Sequence, residues 1–124
     1  ELHGSVLRNY CQKCGKSHDV FYMKEAAGVP RCQVCGGMLK PDVVLYEEGL
    51  DTDVITGAVN DISQADMLII GGTSLGVYPA AGLIDYYRGD ELVLINRSPT
   101  PRDRQATLLL PAAIGEVLGQ LKIN

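Results

Sequence analysis

The stretch MLIIGGTSLGVYPAAGL (67–83) decides the fold class. It begins with an apolar run that predicts a β-strand buried on both faces, and it continues through a glycine-rich turn. The segment after the turn (78–89) predicts a helix, because Pro79 stands near its start and Gly89 at its end. A buried strand that leads through such a turn into a helix is the repeating unit of parallel α/β sheets.

Similar units occur on both sides of this stretch. The sequence predicts further strands at 42–46, 91–96 and 106–111, and further helices at 51–65, with Asp51 or Thr52 as N-cap, and at 112–122. Three strand–helix units make about half of a doubly wound nucleotide-binding domain. We therefore predict an α/β fold, with a partial Rossmann-like doubly wound parallel sheet over residues 39–124.

The four cysteines form two CxxC pairs, Cys11 with Cys14 and Cys32 with Cys35, which are separated by 17 residues. This spacing is typical of a four-thiolate zinc ribbon. Gly15 and Gly36 follow the pairs, where a tight turn lets backbone amides face the thiolates. We predict a small zinc-ribbon subdomain over 11–38, preceded by a short segment over 1–10.

Two disulfides or four free thiols are the alternatives to zinc, and the spacing favours zinc. Four cysteines fill the tetrahedral coordination of the ion and leave no position for water, so we predict one structural zinc ion. His18 is a weaker candidate ligand, and we expect it in a surface loop. A metal site in a chain without secretory marks favours a reducing compartment, and we expect a cytoplasmic location.

Composition excludes two classes of partner. The 124 residues carry a net charge of −4, with scattered basic side chains, which argues against a nucleic-acid binder. No apolar run approaches the roughly 18 residues that span a bilayer. We therefore predict no nucleic-acid and no membrane partner.

The glycine-rich turn is a candidate ligand site. Backbone amides and hydroxyls at such a turn commonly hold phosphate or ribose oxygens, and ligands of open α/β sheets bind at the carboxyl ends of strands. Ser74 and Asn96 both follow predicted strands, where a nucleotide is expected. The alternatives are an ordinary strand-to-helix loop and, for Asn96, the cap of a turn.

Five motifs in order resemble the sirtuin family of NAD-dependent protein lysine deacylases. They are ELHGS (1–5), the paired CxxC, LKPDVVLYEE (39–48), GTSLGVYPAA (72–81) and LVLIN (92–96). The third is similar to the family's RPxVVxFGE stretch and the fourth to its GTSLxVxPAA loop. The resemblance covers essentially the whole chain.

The resemblance implies roles for individual residues. His3 corresponds to the catalytic general base, a role that suits an imidazole because its pKa is ordinarily near 6.5. Without its flanking residues it would be taken for a surface histidine. The implied NAD-binding residues are Gly72, Thr73, Ser74, Asn96, Arg97, Ser98 and Ala113.

The substrate implied by the resemblance is an acyl-lysine in a protein or peptide. Val44 and Tyr46 correspond to positions that hold the acyl-lysine, although both could be simple core strand. Residues 47–49 and 76–78 correspond to loops that sandwich the peptide as an added strand. The sequence departs from the family pattern at Tyr46, where Phe is usual, and at Glu47, where Gly is usual.

The family reaction implied is removal of acetyl or other acyl groups from lysine, giving nicotinamide and 2′-O-acyl-ADP-ribose. Mono-ADP-ribosyl transfer and desuccinylation on the same fold are alternatives, and a non-enzymatic zinc-ribbon adaptor is a third. The acidic net charge and the ordered α/β motifs argue against the adaptor function.

The printed sequence contains none of the family's GAGxS, PDFR and TQNxD motifs, which serve the NAD pyrophosphate and the nicotinamide. An N-terminal half of the same enzyme, or another chain, is then expected to cover the apolar edge and face of the sheet.

We predict that residues 1–124 alone have no deacylase activity, because one wall of the NAD site is missing. Nicotinamide release from NAD and an acetylated peptide measures this. Turnover by the purified 124-residue chain would refute the prediction.

Overall fold

The structure, a computed structural model, describes residues 1–122 and divides into two compact units, residues 1–54 and the residues from Ile55 onward. The first unit is built on an antiparallel sheet and the second on a parallel sheet. Together they give the predicted α/β class with a parallel sheet. In the described part of the chain, no helix is long and apolar enough to cross a membrane.

The first unit contains a three-stranded sheet of order β2-β1-β3, with β1 at Gly4–Cys11, β2 at Ser17–Asp19 and β3 at Leu39–Val43. A short helix, α1 (Val20–Glu25), follows β2, and Asp19 caps it by accepting the Tyr22 N–H at 2.8 Å. Strand β1 has an irregular register between Ser5 and Asn9, where a bulge separates its two pairings with β3.

The predicted strand at 42–46 is wrong in position and in partner. Strand β3 ends at Val43 and lies antiparallel to β1, with Leu39 opposite Cys11. Its register is therefore set next to the cysteines, and residues 44–46 lie outside the strand. The domain boundaries proposed at residues 11 and 39 stay a prediction.

The second unit holds the parallel sheet of order β4-β5-β6, with strands β4 (Met67–Gly71), β5 (Glu91–Ile95) and β6 (Leu108–Leu110). Helix α2 (Thr52–Gln64) precedes β4, and Asp51 is its N-cap, because Asp51 Oδ1 accepts the N–H groups of Asp53 and Val54 at 2.8 and 3.3 Å. The three strands agree with the predicted positions to within a few residues.

Strand β5 lies between the other two, and residues 92–95 are buried. Strand β4 is different: Met67 and Ile69 are 51% and 52% exposed, whereas Leu68 and Ile70 are half-buried. The prediction that β4 is buried on both faces is therefore wrong for the described chain. An exposed apolar edge of this kind needs a cover to avoid pairing with other chains.

The two helices predicted after β4 and β6 are shorter than expected. Residues Ala80–Tyr86 form a 3-10 helix, since Gly82 has low helix propensity and the Tyr87 hydroxyl holds the chain against Asp66 O and the Glu91 backbone at 2.9 to 3.1 Å. Helix α3 spans only Ile114–Leu118, with Gly115 inside it and Gly119 as its C-cap. Glycine disfavours a longer helix in both places.

Candidate functional site

The four cysteine sulfurs lie within 4.8 Å of one another. The shortest separations are 3.4 Å, between the sulfurs of Cys11 and Cys35, and 3.8 Å, between those of Cys14 and Cys32. All four are free thiols rather than disulfides. The predicted ligand set is therefore assembled around one point, as tetrahedral zinc requires.

Each CxxC pair forms the same kind of turn. The carbonyl of Cys11 accepts the Gly15 N–H at 2.9 Å, and the carbonyl of Cys32 accepts the Gly36 N–H at 2.8 Å. Both glycines have φ near +70°, a conformation that side chains rarely adopt. The turns place backbone amides next to the sulfurs. The Lys13 N–H donates to Cys11 Sγ and the Val34 N–H donates to Cys32 Sγ, both at 3.4 Å.

These amides favour thiolates. Burial raises the pKa of Cys11, but the N–H groups of Cys14 and Lys13 outweigh burial and bring that pKa to about 6. The N–H of Val34 is the main cause that lowers the pKa of Cys32 to about 7. At Cys35 the Gly37 N–H is outweighed by the sulfurs of Cys11 and Cys14, which raise the pKa to about 12. Four adjacent sulfurs cannot all ionise unless a cation compensates them, and the donor set therefore fits zinc.

His18 does not lie in a surface loop, and that prediction is wrong. It is the middle residue of β2 and is 8% exposed, because its ring packs on the Tyr22 ring with the centroids 4.9 Å apart. The four cysteines account for the metal-ligand cluster in the described residues, and His18 is not part of it.

His3 is exposed and lies beside the segment after β3 that carries the predicted acyl-lysine residues. Its carbonyl accepts the Val44 N–H at 3.1 Å. The next residue, Gly4, has φ +77°, and a Cβ there would overlap the carbonyl of Asp42. Glycine is thus required at position 4 for the chain to bring His3 alongside Val44.

The segment after β3 is held by two charged residues that the sequence analysis did not assign. Glu48 Oε2 accepts the Leu45 N–H and a Lys40 Nζ–H, each at 2.9 Å, and Lys40 also donates to Val43 O at 3.0 Å. These contacts close the loop on which Tyr46 stands 99% exposed. The Lys40–Glu48 pair is eight residues apart, so no local periodicity could have revealed it.

The second unit contains a cleft of about 390 Å³ at the carboxyl ends of its strands. Five predicted NAD-binding residues line it, namely Gly72, Asn96, Arg97, Ser98 and Ala113, together with Ala112, Ile114 and Gly115. The sequence analysis did not include those last three, although they adjoin Ala113.

The cleft is shaped by backbone bonds between neighbouring strands. Gly72 N–H donates to Ile95 O at 3.0 Å, and Asn96 N–H donates to Leu110 O at 3.1 Å. The Asn96 side-chain amide donates to Ser98 O at 2.8 Å, which closes the turn after β5. A Cβ at Gly71 would overlap the Ile114 side chain, so this glycine lets the start of α3 approach the sheet.

Thr73 and Ser74 are outside the lining of this cleft. Thr73 Oγ1 accepts the Leu75 N–H at 3.2 Å, and Ser74 Oγ accepts the Gly76 N–H at 3.4 Å. Both hydroxyls therefore shape the glycine-rich turn. Thr73 also lines a separate apolar groove of about 280 Å³ with Leu75, Val77 and the residues of the 3-10 helix.

We predict that Gly37→Ala weakens zinc binding at least about 10-fold, since outer-shell contacts of metal ligands carry effects of that size. A Cβ at residue 37 would lie 2.8 Å from Cys11 Sγ and 2.8 Å from Lys13 Cβ. Zinc content after dialysis and zinc release to a chelator measure the effect. Gly49→Ala is the matched control, because a Cβ there meets nothing within 4 Å. Equal zinc retention in the two variants would contradict the prediction.

We predict that Glu48→Gln opens the loop and speeds exchange of the Leu45 amide. The Leu45 N–H and then Lys40 hold the pKa of Glu48 below its ordinary value of 4.5. The carboxylate therefore stabilises the loop fully above pH 4.5, and this contribution is lost as the pH falls through the lowered pKa. Hydrogen exchange followed by NMR at pH 7 gives the readout.

The control for that loop is Glu47→Gln, which changes the neighbouring carboxylate and leaves the Glu48 contacts intact. Equal protection of the Leu45 amide in wild type and Glu48→Gln would show that Glu48 does not hold the loop.

Known proteins resemble the chain over its length. A model of the "Sir2 family" matches residues 1–79. Proteins named "NAD-dependent protein deacetylase" are 62% identical over 122 residues in Clostridium perfringens and 51% identical over 122 residues in Cutibacterium acnes. Each alignment covers 98% of this chain and 50% of the relative. The chain thus spans about half the length of these relatives.

Solved structures agree with the sequence matches. A structure described as "The Structural basis of Sirtuin Substrate Affinity" has a TM-score of 0.87 at 35% identity and covers 97% of this chain and 51% of that one. Another, "Sir2-p53 peptide-NAD+", has a TM-score of 0.81 at 37% identity, with 97% and 52% covered. The family match, the assembled four-cysteine cluster and the parallel sheet agree, and the chain belongs to the Sir2 family.

Proposed function

We propose that the protein to which this chain belongs uses NAD to remove acetyl or other acyl groups from protein lysines. The products are nicotinamide, 2′-O-acyl-ADP-ribose and free lysine. Support comes from family membership and from the relatives named NAD-dependent protein deacetylases. The proposal concerns the whole protein, because the chain spans about half of those relatives.

The observation that carries the proposal is the cleft at the carboxyl ends of the parallel strands. Gly72 follows β4, Asn96 follows β5 and Ala113 follows β6, and all three line the same cleft. This is where nucleotides bind in open parallel sheets. We assign it to NAD, with Asn96, Arg97 and Ser98 on the adenosine side and with Gly72, Thr73 and Ser74 on the ribose turn.

We assign the acyl-lysine to Val44 and Tyr46 and the general base to His3. The support is the 3.1 Å hydrogen bond from Val44 N–H to the His3 carbonyl, which keeps the backbone of the base next to the segment assigned to the substrate. In this assignment the imidazole of His3 accepts a proton from a ribose hydroxyl, and the Val44 carbonyl accepts the N–H of the substrate lysine. The exposed Tyr46 ring forms an apolar wall.

The zinc ion has a structural role in this proposal, since four cysteines complete its coordination and leave no position for a substrate. When bound, zinc supplies the positive charge that four thiolates require. We also propose a cytoplasmic location, supported by the four free thiols, which suit a reducing compartment.

We further propose that residues of the whole protein outside this chain cover the exposed edge of β4. Met67 and Ile69 on that strand are half exposed, and the matched relatives are about twice as long as the chain. A paired strand would satisfy the open backbone groups and bury these side chains.

For the full-length protein we predict that His3→Ala lowers kcat/KM for deacetylation about 10²- to 10⁴-fold, the usual contribution of a general base. Zinc content is expected to stay unchanged, because His3 is exposed and is not part of the four-cysteine cluster. Nicotinamide release gives the rate, and Tyr10→Phe on the adjoining strand β1 is the control. A rate for His3→Ala equal to wild type would rule out the assigned base.

We also predict that Glu47 makes the full-length enzyme prefer basic residues beside the target lysine. Glu47 has φ +69° and an exposed carboxylate in the loop that we assign to the peptide groove. A basic side chain beside the target lysine would attract the Glu47 carboxylate, and salt would screen the attraction. Paired acetyl-peptides with lysine or glutamate flanks test the preference, which Glu47→Gln should remove. Equal turnover of both peptides by the wild type would refute it.

A further inference from the structure

One buried polar group near the cysteine cluster has no role in the proposed reaction. His18 is 8% exposed, and its Nε2 is buried without a hydrogen-bond partner among the described residues. A buried polar atom is costly unless it is paired, so an unpaired one in this position calls for a partner. The candidates are the groups that its ring approaches.

The backbone of His18 is held in place by β1. His18 pairs with Asn9, and the Asn9 side-chain amide donates to the His18 carbonyl at 3.4 Å. Asn9 is itself 1% exposed. The backbone from which the His18 ring extends is therefore fixed by its contacts with Asn9.

Tyr22 contacts the ring of His18 and also the buried cluster that contains Cys32. Its N–H donates to Asp19, the residue after His18, and its hydroxyl donates at 2.7 Å to the carbonyl of Arg31, the residue before Cys32. The Tyr22 ring packs against the buried cluster that contains Cys32 and lies 4.9 Å from the His18 ring. Tyr22 thus contacts both His18 and the cluster that contains Cys32.

The sulfur of Cys32 suits a donor on His18, because both residues pack against Tyr22. The pKa of Cys32 is lowered first by the Val34 N–H, and the His18 side chain also lowers it, as a side chain close to that sulfur would. Cys32 is buried, so water does not compete strongly for its sulfur. A zinc-bound thiolate is a strong acceptor that still has lone pairs available.

We propose that His18 is a positioning residue of the metal centre, whose Nε2–H donates to Sγ of Cys32 when the four thiolates hold zinc. The inference rests on the proposed zinc centre and on no other part of the proposed function. The hydrogen bond withdraws charge from one thiolate and orients it, which slows attack on that sulfur by electrophiles and slows loss of the metal. No ligand is added, since the cysteines already complete the coordination.

The test uses the full-length protein, with zinc content measured first. Long-range ¹H–¹⁵N NMR of the zinc-loaded wild type reports which ring nitrogen of His18 carries the proton, and a ¹¹³Cd-substituted sample reports coupling between the ring N–H and the metal. A proton on Nε2 together with coupling to cadmium is the expected result. An unprotonated Nε2 would overturn the inference while leaving the zinc centre intact, whereas absence of zinc would overturn both.

Variants give a second readout. Zinc loss to a chelator in the presence of iodoacetamide is expected to be about 10-fold faster in His18→Phe than in wild type, the scale of outer-shell effects. His18→Gln should restore part of the protection, because its carboxamide also donates. Tyr22→Phe removes the hydroxyl bond to Arg31 and leaves the ring in place, so it controls for local stability. Equal rates in His18→Phe and wild type, or in His18→Phe and Tyr22→Phe, would overturn the inference.

Discussion

The first unit depends on one electrostatic constraint, which is that four sulfurs share a space less than 5 Å across. Backbone amides bring Cys11 and Cys32 towards the thiolate state, whereas the neighbouring sulfurs hold the pKa of Cys35 at about 12. A dication removes the conflict, because it compensates all four ligands at once. The ion would then join the two CxxC turns at one point.

The metal that this cluster of sulfurs requires also compensates for the small apolar core of the first unit. Among the described residues of the first unit, the buried apolar cluster consists of Cys11, Cys32 and Leu39, with Tyr22, Met23 and Cys35 packed against it. So few side chains bury little area, and small modules of this kind generally need a metal or disulfides. Two members of the cluster are themselves metal ligands, so metal binding and core formation are one event in this unit.

Features that depend only on residues adjacent in the sequence could be predicted from it. The CxxC turns need only a glycine after each pair, and Gly15 and Gly36 have the positive φ that this role implies. Strand 67–71 is apolar throughout and strand 91–95 is apolar after Glu91, and the limits of both can be recognised without any tertiary contact.

Features that depend on distant contacts could not be predicted. Strand β3 begins at Leu39 because that residue pairs with Cys11, and it ends before the loop that Lys40 and Glu48 close. The burial of His18 follows from the Tyr22 ring and from the pairing with Asn9, neither of which leaves a pattern in the local sequence. Tertiary packing decided the outcome in both places.

The candidate NAD cleft illustrates how a motif and a site differ. The residues that line it come from three strand ends, at Gly72, Asn96 and Ala113, and a parallel sheet brings such positions together because every strand ends at the same edge. Thr73 and Ser74 belong to the same motif, yet their hydroxyls accept backbone N–H groups within the turn. One short motif therefore supplies both the lining of a cleft and the hydrogen bonds that keep its turn in shape.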